Sequence, residues 1–202
     1  RSLNADLRDG APDANEEYLL YQTLVGAWPI SRERLEAYLE KALREAKRNT
    51  NWVEQDHGYE ERVKAFAAAV IEHEPFLEDF VPFCERVAAE GERSALGQVL
   101  LTLTSPGVPT IYQGDELIAL ALVDPDNRRP VDWGRLAALL GPRSLRGPGP
   151  EPKQWVTSRL LALRRSHPEA FAGGYMPVAA APDVCGFMRG PDVLVVVPLS
   201  PS

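Results

Sequence analysis

The stretch Gly107-Val108-Pro109-Thr110-Ile111-Tyr112-Gln113-Gly114-Asp115-Glu116 decides the fold. Upstream of it, Leu96, Leu100 and Leu103 recur at helical spacing until Ser105-Pro106-Gly107 stops the run. Val108 to Tyr112 then reads as a short extended segment, and Gln113 to Trp133 as a long polar loop. Helix, tight turn and short apolar strand together make one α/β repeat. Loops that follow parallel strands are where α/β barrels keep their chemistry. Gly114 lets the backbone turn tightly, and Gln113, Asp115 and Glu116 stand beside it as hydrogen-bonding groups. Without wider context, the same residues describe only a strand that ends in a polar turn.

Working outward, the residues before Ser94 read as four helices. Asp13 and Glu16 have the spacing of a capping box, and Leu20, Leu24, Ala27 and Trp28 follow at helical intervals until Pro29. Ser31 caps a second helix with an apolar stripe of Leu35, Tyr38, Leu39, Ala42 and Ala46 and a charged face of Arg32, Glu33, Glu36, Glu40 and Arg44. Val63, Phe66, Ala67, Val70 and Ile71 mark a third helix. Phe76, Leu77, Phe80, Cys84, Val87 and Ala88 mark a fourth, after Pro75. Downstream, 141–152 is a Pro/Gly-rich connector, and Trp155, Val156, Leu160 and Leu163 form a helix before His167-Pro168. Val184–Met188 and Val193–Val197 flank the Gly190-Pro191-Asp192 turn as a β-hairpin. Two strands do not complete a sheet, so a continuation of this β region is expected.

A chain of 202 residues, 45% hydrophobic and 25% charged, suits an ordinary globular protein. Its net charge of −7 argues against a nucleic-acid partner, which favours a basic face. No apolar run reaches the roughly 20 residues of a membrane span. Cys84 and Cys185 lie far apart among apolar neighbours and read as buried free thiols. With no leader-like segment visible, a cytoplasmic location is expected. Glu16 with Glu17, and Glu60 with Glu61, are adjacent pairs that point to different helix faces and read as solvated charges. His57 and His73 read as surface residues and His167 as a helix-end residue.

The stretch at 107–116 resembles the last barrel strand and following loop of the α-amylase superfamily, glycoside hydrolase family 13. Leu122-Val-Asp-Pro-Asp-Asn-Arg-Arg-Pro-Val-Asp132 contains D-P-x-N-R, which is similar to the loop where cyclodextrin-forming relatives hold a donor-side glucose. By position, the resemblance implies Asp124 and Arg128 as a sugar clamp, with Gln113, Asp115 and Glu116 as further substrate-binding residues. The alternative for Asp124 and Arg128 is a salt bridge that staples the loop. Residues 12–29, Lys41-Ala-Leu-Arg-Glu-Ala-Lys-Arg-Asn-Thr-Asn-Trp52 and Tyr59-Glu60 resemble the maltooligosyltrehalose synthase family in particular. One departure is Asn51, where that family's pattern has serine before the tryptophan. Lys47 and Trp52 are implied on the acceptor side, where an amphipathic indole could stack on a sugar face. The alternative for Trp52 is a helix-end tryptophan packed on its neighbours.

The resemblance implies a fold that is mainly α with some β. Residues 1–92 would be a helical insertion subdomain. Residues 93–170 would be the end of a catalytic (β/α)8 barrel, holding strand 8, its loop and the last helix, and residues 171–202 the start of a C-terminal antiparallel β domain. It implies a (1→4)-α-D-glucan 1-α-D-glucosylmutase, an intramolecular transglycosylase acting on maltooligosaccharides without metal or cofactor. The three carboxylates of that superfamily lie on its fourth, fifth and seventh strands, so no catalytic residue is expected within this chain. The expected partners are a maltooligosaccharide, the upstream barrel half of the same enzyme, and a maltooligosyltrehalose hydrolase acting next. Two other readings remain open: another family 13 glucanotransferase, and a non-catalytic helical scaffold or interaction domain.

Overall fold

The computed structural model describes residues 1–140 and 151–199. It is mainly helical with one small antiparallel sheet, and it divides into two compact units. The first comprises Arg1–Ala88 with Leu120–Arg129, and the second Ala89–Ala119 with Pro130 onward.

The first unit is built from helices that the sequence punctuates clearly. A 3-10 turn, Ser2–Leu7, precedes α1 (Ala14–Ala27), and the Asp13–Glu16 capping box closes in both directions. Pro29 forces the chain out of α1 at Trp28, and Ser31 starts α2 (Arg32–Ala46), which ends at Lys47 in the left-handed region. Asp56 caps α3 (His57–Glu72) by accepting from the Tyr59 amide at 2.9 Å. Leu20, Leu24, Leu35, Leu39, Phe66, Val70, Phe76 and Phe80 form the core. Within it Phe76 stacks on Phe80 at 4.9 Å, and Trp28 meets Phe80 edge-on at 5.3 Å. Each fully buried Leu or Phe here contributes roughly 1.5–3 kcal/mol through surface removed from water.

Several charges expected on the surface are buried instead. Glu16, Glu17 and Glu60 are all under 5% exposed, whereas Glu61 remains exposed. Arg44, expected on the charged face of α2, is buried with Glu60, while Leu43 takes its place in an apolar stripe with Leu35 and Leu39. The reason is pairing: Arg44 donates to Glu60 from Nε at 2.9 Å and Nη2 at 2.8 Å, and the Thr50 hydroxyl adds a third bond at 2.7 Å. Glu17 accepts from Arg1, Arg8 and the Tyr21 hydroxyl. Glu16 accepts from the Asp13 amide, from Asn49 and from the Tyr59 hydroxyl. Burial pushes that Tyr59 hydroxyl above its ordinary pKa, and the bond to Glu16 adds to the shift. Cys84 is buried as expected, but Cys185 is only half-buried. His57 is exposed, His73 is half-buried beside Asn4, and His167 follows the helix that ends at Ser166.

The fourth and fifth expected helices are one: α4 runs Glu74–Thr104 with Pro82 inside it. Nothing between Ala88 and Ser94 imposes a non-helical backbone, and Gly91 costs only about 1 kcal/mol in a helix. The N-terminal part of α4 belongs to the first unit and the rest to the second.

In the second unit α5 (Trp133–Leu139), α6 (Pro152–Ser166) and α7 (Pro168–Ala172) join the end of α4. Helices α5 and α7 had no signal in the periodicity because both are under two turns long. Gln154 of α6 donates to the Leu136 carbonyl of α5 at 2.8 Å. The expected hairpin is present as β2 (Val184–Arg189) and β3 (Val193–Pro198), and β1 (Tyr175–Pro177) adds a third strand in the order β1-β2-β3. Phe187 pairs with Val195 and Arg189 with Val193, so Val193, Val195 and Val197 face inward with Phe187, Ala170 and Leu163. Arg189, 2% exposed, donates to the Thr104 and Phe171 carbonyls. Residues 108–112, expected as a strand, carry no ladder, and Val108 is 93% exposed. A strand exists only against a neighbour, and none lies beside this segment among the described residues. The expected Pro/Gly-rich connector, apart from Glu151 and Pro152, lies outside the described residues.

Glu60 is held well below the ordinary glutamate value of 4.5, at about 2, chiefly by the Arg44 guanidinium. A depressed carboxylate stabilises the fold above its unfolded value and loses that contribution as pH falls through the folded one. The thermal midpoint should therefore fall between pH 4.5 and about 2. The E60Q variant should show a shallower fall there and a midpoint roughly 5 °C lower at pH 7. Calorimetry across pH checks both. Gly114 has φ +88°, and a β-carbon there would meet Val131 Cγ2 at 3.2 Å. Gly114→Ala should cost roughly 1–2 kcal/mol in urea denaturation, only partly recovered by adding Val131→Ala.

Candidate functional site

The segment 120–129 is the first place where polar groups converge. Pro125 leads into a short 3-10 turn, Asp126–Arg128, which brings Asp124 and Arg128 one turn apart. Arg128 Nη2 donates to Asp124 Oδ2 at 2.6 Å, with the Arg128 side chain largely exposed and that of Asp124 half-buried. That guanidinium, above all, holds the Asp124 carboxyl below its ordinary range. A carboxylate accepts and a guanidinium donates, so side by side they present both polarities that vicinal hydroxyl groups match.

The neighbouring Asp126 plays the opposite part. Its carboxylate is 10% exposed and takes Arg34 Nε at 2.8 Å and Nη2 at 2.9 Å, as well as the Leu122 amide at 2.7 Å. Its pKa is drawn down to about 2, first by Arg34. Arg34 also reaches the Leu120 carbonyl at 2.7 Å, and Lys41 donates to the Asp124 carbonyl at 2.7 Å. No local pattern points to these contacts, since 92 residues separate Arg34 from Asp126. Opposite charge was the only available signal, and every basic residue shares it.

A second convergence sits where α2 gives way to α3. Lys47 is exposed at the left-handed end of α2. Trp52 is 51% exposed, and the Arg44 guanidinium lies 5.1 Å from its ring centre. One face of the indole thus has an intramolecular partner while half its surface is open. Asn51 closes the loop by accepting from the amides of Val53 at 2.9 Å and Glu54 at 2.8 Å. The Thr50 hydroxyl accepts from the Asp56 amide at 3.0 Å, which ties the loop to the N-terminus of α3.

Gln113, Asp115 and Glu116 lie in the second unit, whereas Asp124, Arg128, Lys47 and Trp52 lie in the first. Gln113 is exposed, and the turn is set by Asp115 and Leu117 amides donating to the Tyr112 and Gly114 carbonyls. Asp115 faces a small cleft of about 170 Å³ with Gln98, Thr102 and Lys153. Glu116 faces a different, largely apolar cleft of about 500 Å³ with Trp133, Leu136, Leu161 and Arg165. One Glu116 carboxylate oxygen is buried there without a hydrogen-bond partner. Each acid thus lines a cleft that the other does not. Among the described residues, no group of three His, Cys, Asp or Glu side chains is placed to hold a metal ion. Among the described residues, no helix is long and apolar enough to cross a membrane.

No family model matches the chain. A curated protein of Mycobacterium tuberculosis, described as a maltooligosyl trehalose synthase, is 41% identical over 199 residues, covering 93% of this chain and 25% of that protein. The structure of maltooligosyltrehalose synthase from Arthrobacter ramosus superposes with a TM-score of 0.81 at 40% identity, over 90% of this chain and 25% of that one. A further structure of a maltooligosyl trehalose synthase covers 98% of this chain and 29% of its own, with a TM-score of 0.87 at 30% identity. The chain thus spans about a quarter of the length of these relatives. Agreement of sequence and backbone along nearly the whole chain, rather than at one motif, places it as a segment within the maltooligosyltrehalose synthase family.

Proposed function

We propose that this segment forms part of the substrate cleft of an enzyme that isomerises maltooligosaccharides. The reaction turns the reducing-end α-1,4 link into an α,α-1,1 link by intramolecular transglycosylation. A carboxylate attacks the anomeric carbon while a carboxylic acid protonates the departing oxygen of the terminal glucose. That glucose stays bound, and its own anomeric hydroxyl then displaces the enzyme carboxylate as its proton returns to the acid. In this reading the nucleophile and the acid come from the upstream barrel half, and the segment supplies binding. Residues 108–112 become the eighth barrel strand once a neighbour is present to pair with them. Residues 1–92 are then the helical insertion, 93–170 the barrel's end and 171–202 the start of the β domain.

Asp124 and Arg128 are the donor-side clamp of this reading. Lys47 and Trp52 serve the acceptor side, and Gln113, Asp115 and Glu116 line the turn at the strand's end. The parent enzyme works in the cytoplasm and hands its product to a maltooligosyltrehalose hydrolase. The observation that carries the reading is the exposed Asp124–Arg128 pair on a turn whose backbone is tied down. It occurs in a chain 41% identical to a maltooligosyl trehalose synthase. Asp124→Ala and Arg128→Ala in the full-length enzyme should each weaken maltopentaose binding about tenfold or more in titration calorimetry. Unchanged affinity in both would make the pair a loop staple and remove it from the substrate site.

A further inference from the structure

We propose that the Arg34–Asp126 pair is a positioning device, through which helix α2 sets the place of the donor-side sugar clamp. This rests on the reading of Asp124 and Arg128 as glucose-binding residues. The ion pair within the clamp fixes it only weakly: Arg128 is exposed and Asp124 half-buried, and ion pairs near the surface hold a geometry poorly. Recognition of a ring's hydroxyl groups needs the partners held to about 0.5 Å.

The missing constraint comes from underneath. Arg34 binds Asp126 through two parallel N–H bonds and spends a further one on the Leu120 carbonyl. Asp126 in turn takes the Leu122 amide, and Lys41 takes the Asp124 carbonyl. Helix α2 therefore ties the backbone directly at residues 120 and 124, from Arg34 and Lys41 two turns apart on it, and at residue 122 through the Asp126 carboxylate. Arg129 lies 3.2 Å from the same carboxylate, so the turn 126–128 is closed on its far side as well. The low pKa of Asp126 keeps these bonds charge-assisted at any neutral or mildly acidic pH. Lysine at position 34 would keep the charge but lose the fork that matches a carboxylate.

The test uses the full-length enzyme with R34K, D126N, D124A and the double variant D124A/D126N. Steady-state kinetics and calorimetry with maltopentaose are the readouts, and thermal midpoints control for folding. R34K and D126N should each raise KM about tenfold while kcat changes by less than about threefold. In the D124A background, D126N should raise KM by a clearly smaller factor than it does alone, because only the Arg128 half of the clamp is then left to position. Unchanged KM in R34K and D126N, beside a raised KM in D124A, would overturn the positioning role and leave the clamp standing. Effects of D124A and D126N that multiply in full would mean that Asp126 acts independently of the clamp, and would also overturn it. No effect of D124A itself would remove the clamp and the positioning role together. Should D126N not fold, R34K probes the same contact with the charge retained.

Discussion

Helix α2 lays Leu35, Leu39 and Leu43 into the core of the first unit, and that stripe fixes the helix's rotation about its own axis. Once rotation is fixed, so are the directions of its basic side chains. Arg34 and Lys41 point together at the segment 120–129, and Arg44, near the C-terminal end, points at Glu60 and the underside of Trp52. An amphipathic helix usually serves a core on one side and solvent on the other. Here the polar side is largely spent on partners distant in sequence, and both candidate sugar-binding regions of the first unit hang from it.

The same economy explains the buried carboxylates. An unpaired carboxylate inside a protein is expensive, and pairing with good geometry offsets that cost without yielding much net stability. What a satisfied Glu60 provides is uniqueness. Arg44, Thr50 and, through Thr50, the Asp56 amide can be satisfied together only when α2, α3 and the loop between them are correctly arranged. Glu16 does likewise for α1, Asn49 and Tyr59. In the second unit the pattern is repeated with the charge reversed. Arg189 and Arg164 reach the Thr104 and Leu103 carbonyls at the end of α4, where the helix leaves acceptors unpaired, and both stand over the Phe171 ring.

Local grammar was readable from the residues. The Asp13–Glu16 box, the stop at Pro29, the cap at Ser31 and the turn at Gly190 all act over four residues or fewer, where identity and spacing decide the outcome. Apolar periodicity located α1, α2, α3 and the β2–β3 hairpin because each has a face that must be buried. It failed where the determinant lay elsewhere: α4 was divided at a serine that stops nothing, and α5 and α7 were too short to show a period. The motif at 107–116 was read as a barrel strand, yet its central residues form none, since the motif encodes one strand and a ladder needs two.

For the candidate site the division is sharper. The sequence by itself determined which residue types could meet a sugar: an Asp and an Arg four apart, a tryptophan after a helix, and a glycine turn flanked by acids. Only the tertiary structure decided that Asp124 and Arg128 pair on an exposed turn, that Asp126 turns inward to Arg34, and that Asp115 and Glu116 face separate clefts. The physical reason is range. Caps and turns are closed by neighbours in the chain, whereas the partner of a buried charge is chosen by whichever element packing brings within 3 Å, and nothing in a residue's own surroundings along the chain encodes that choice.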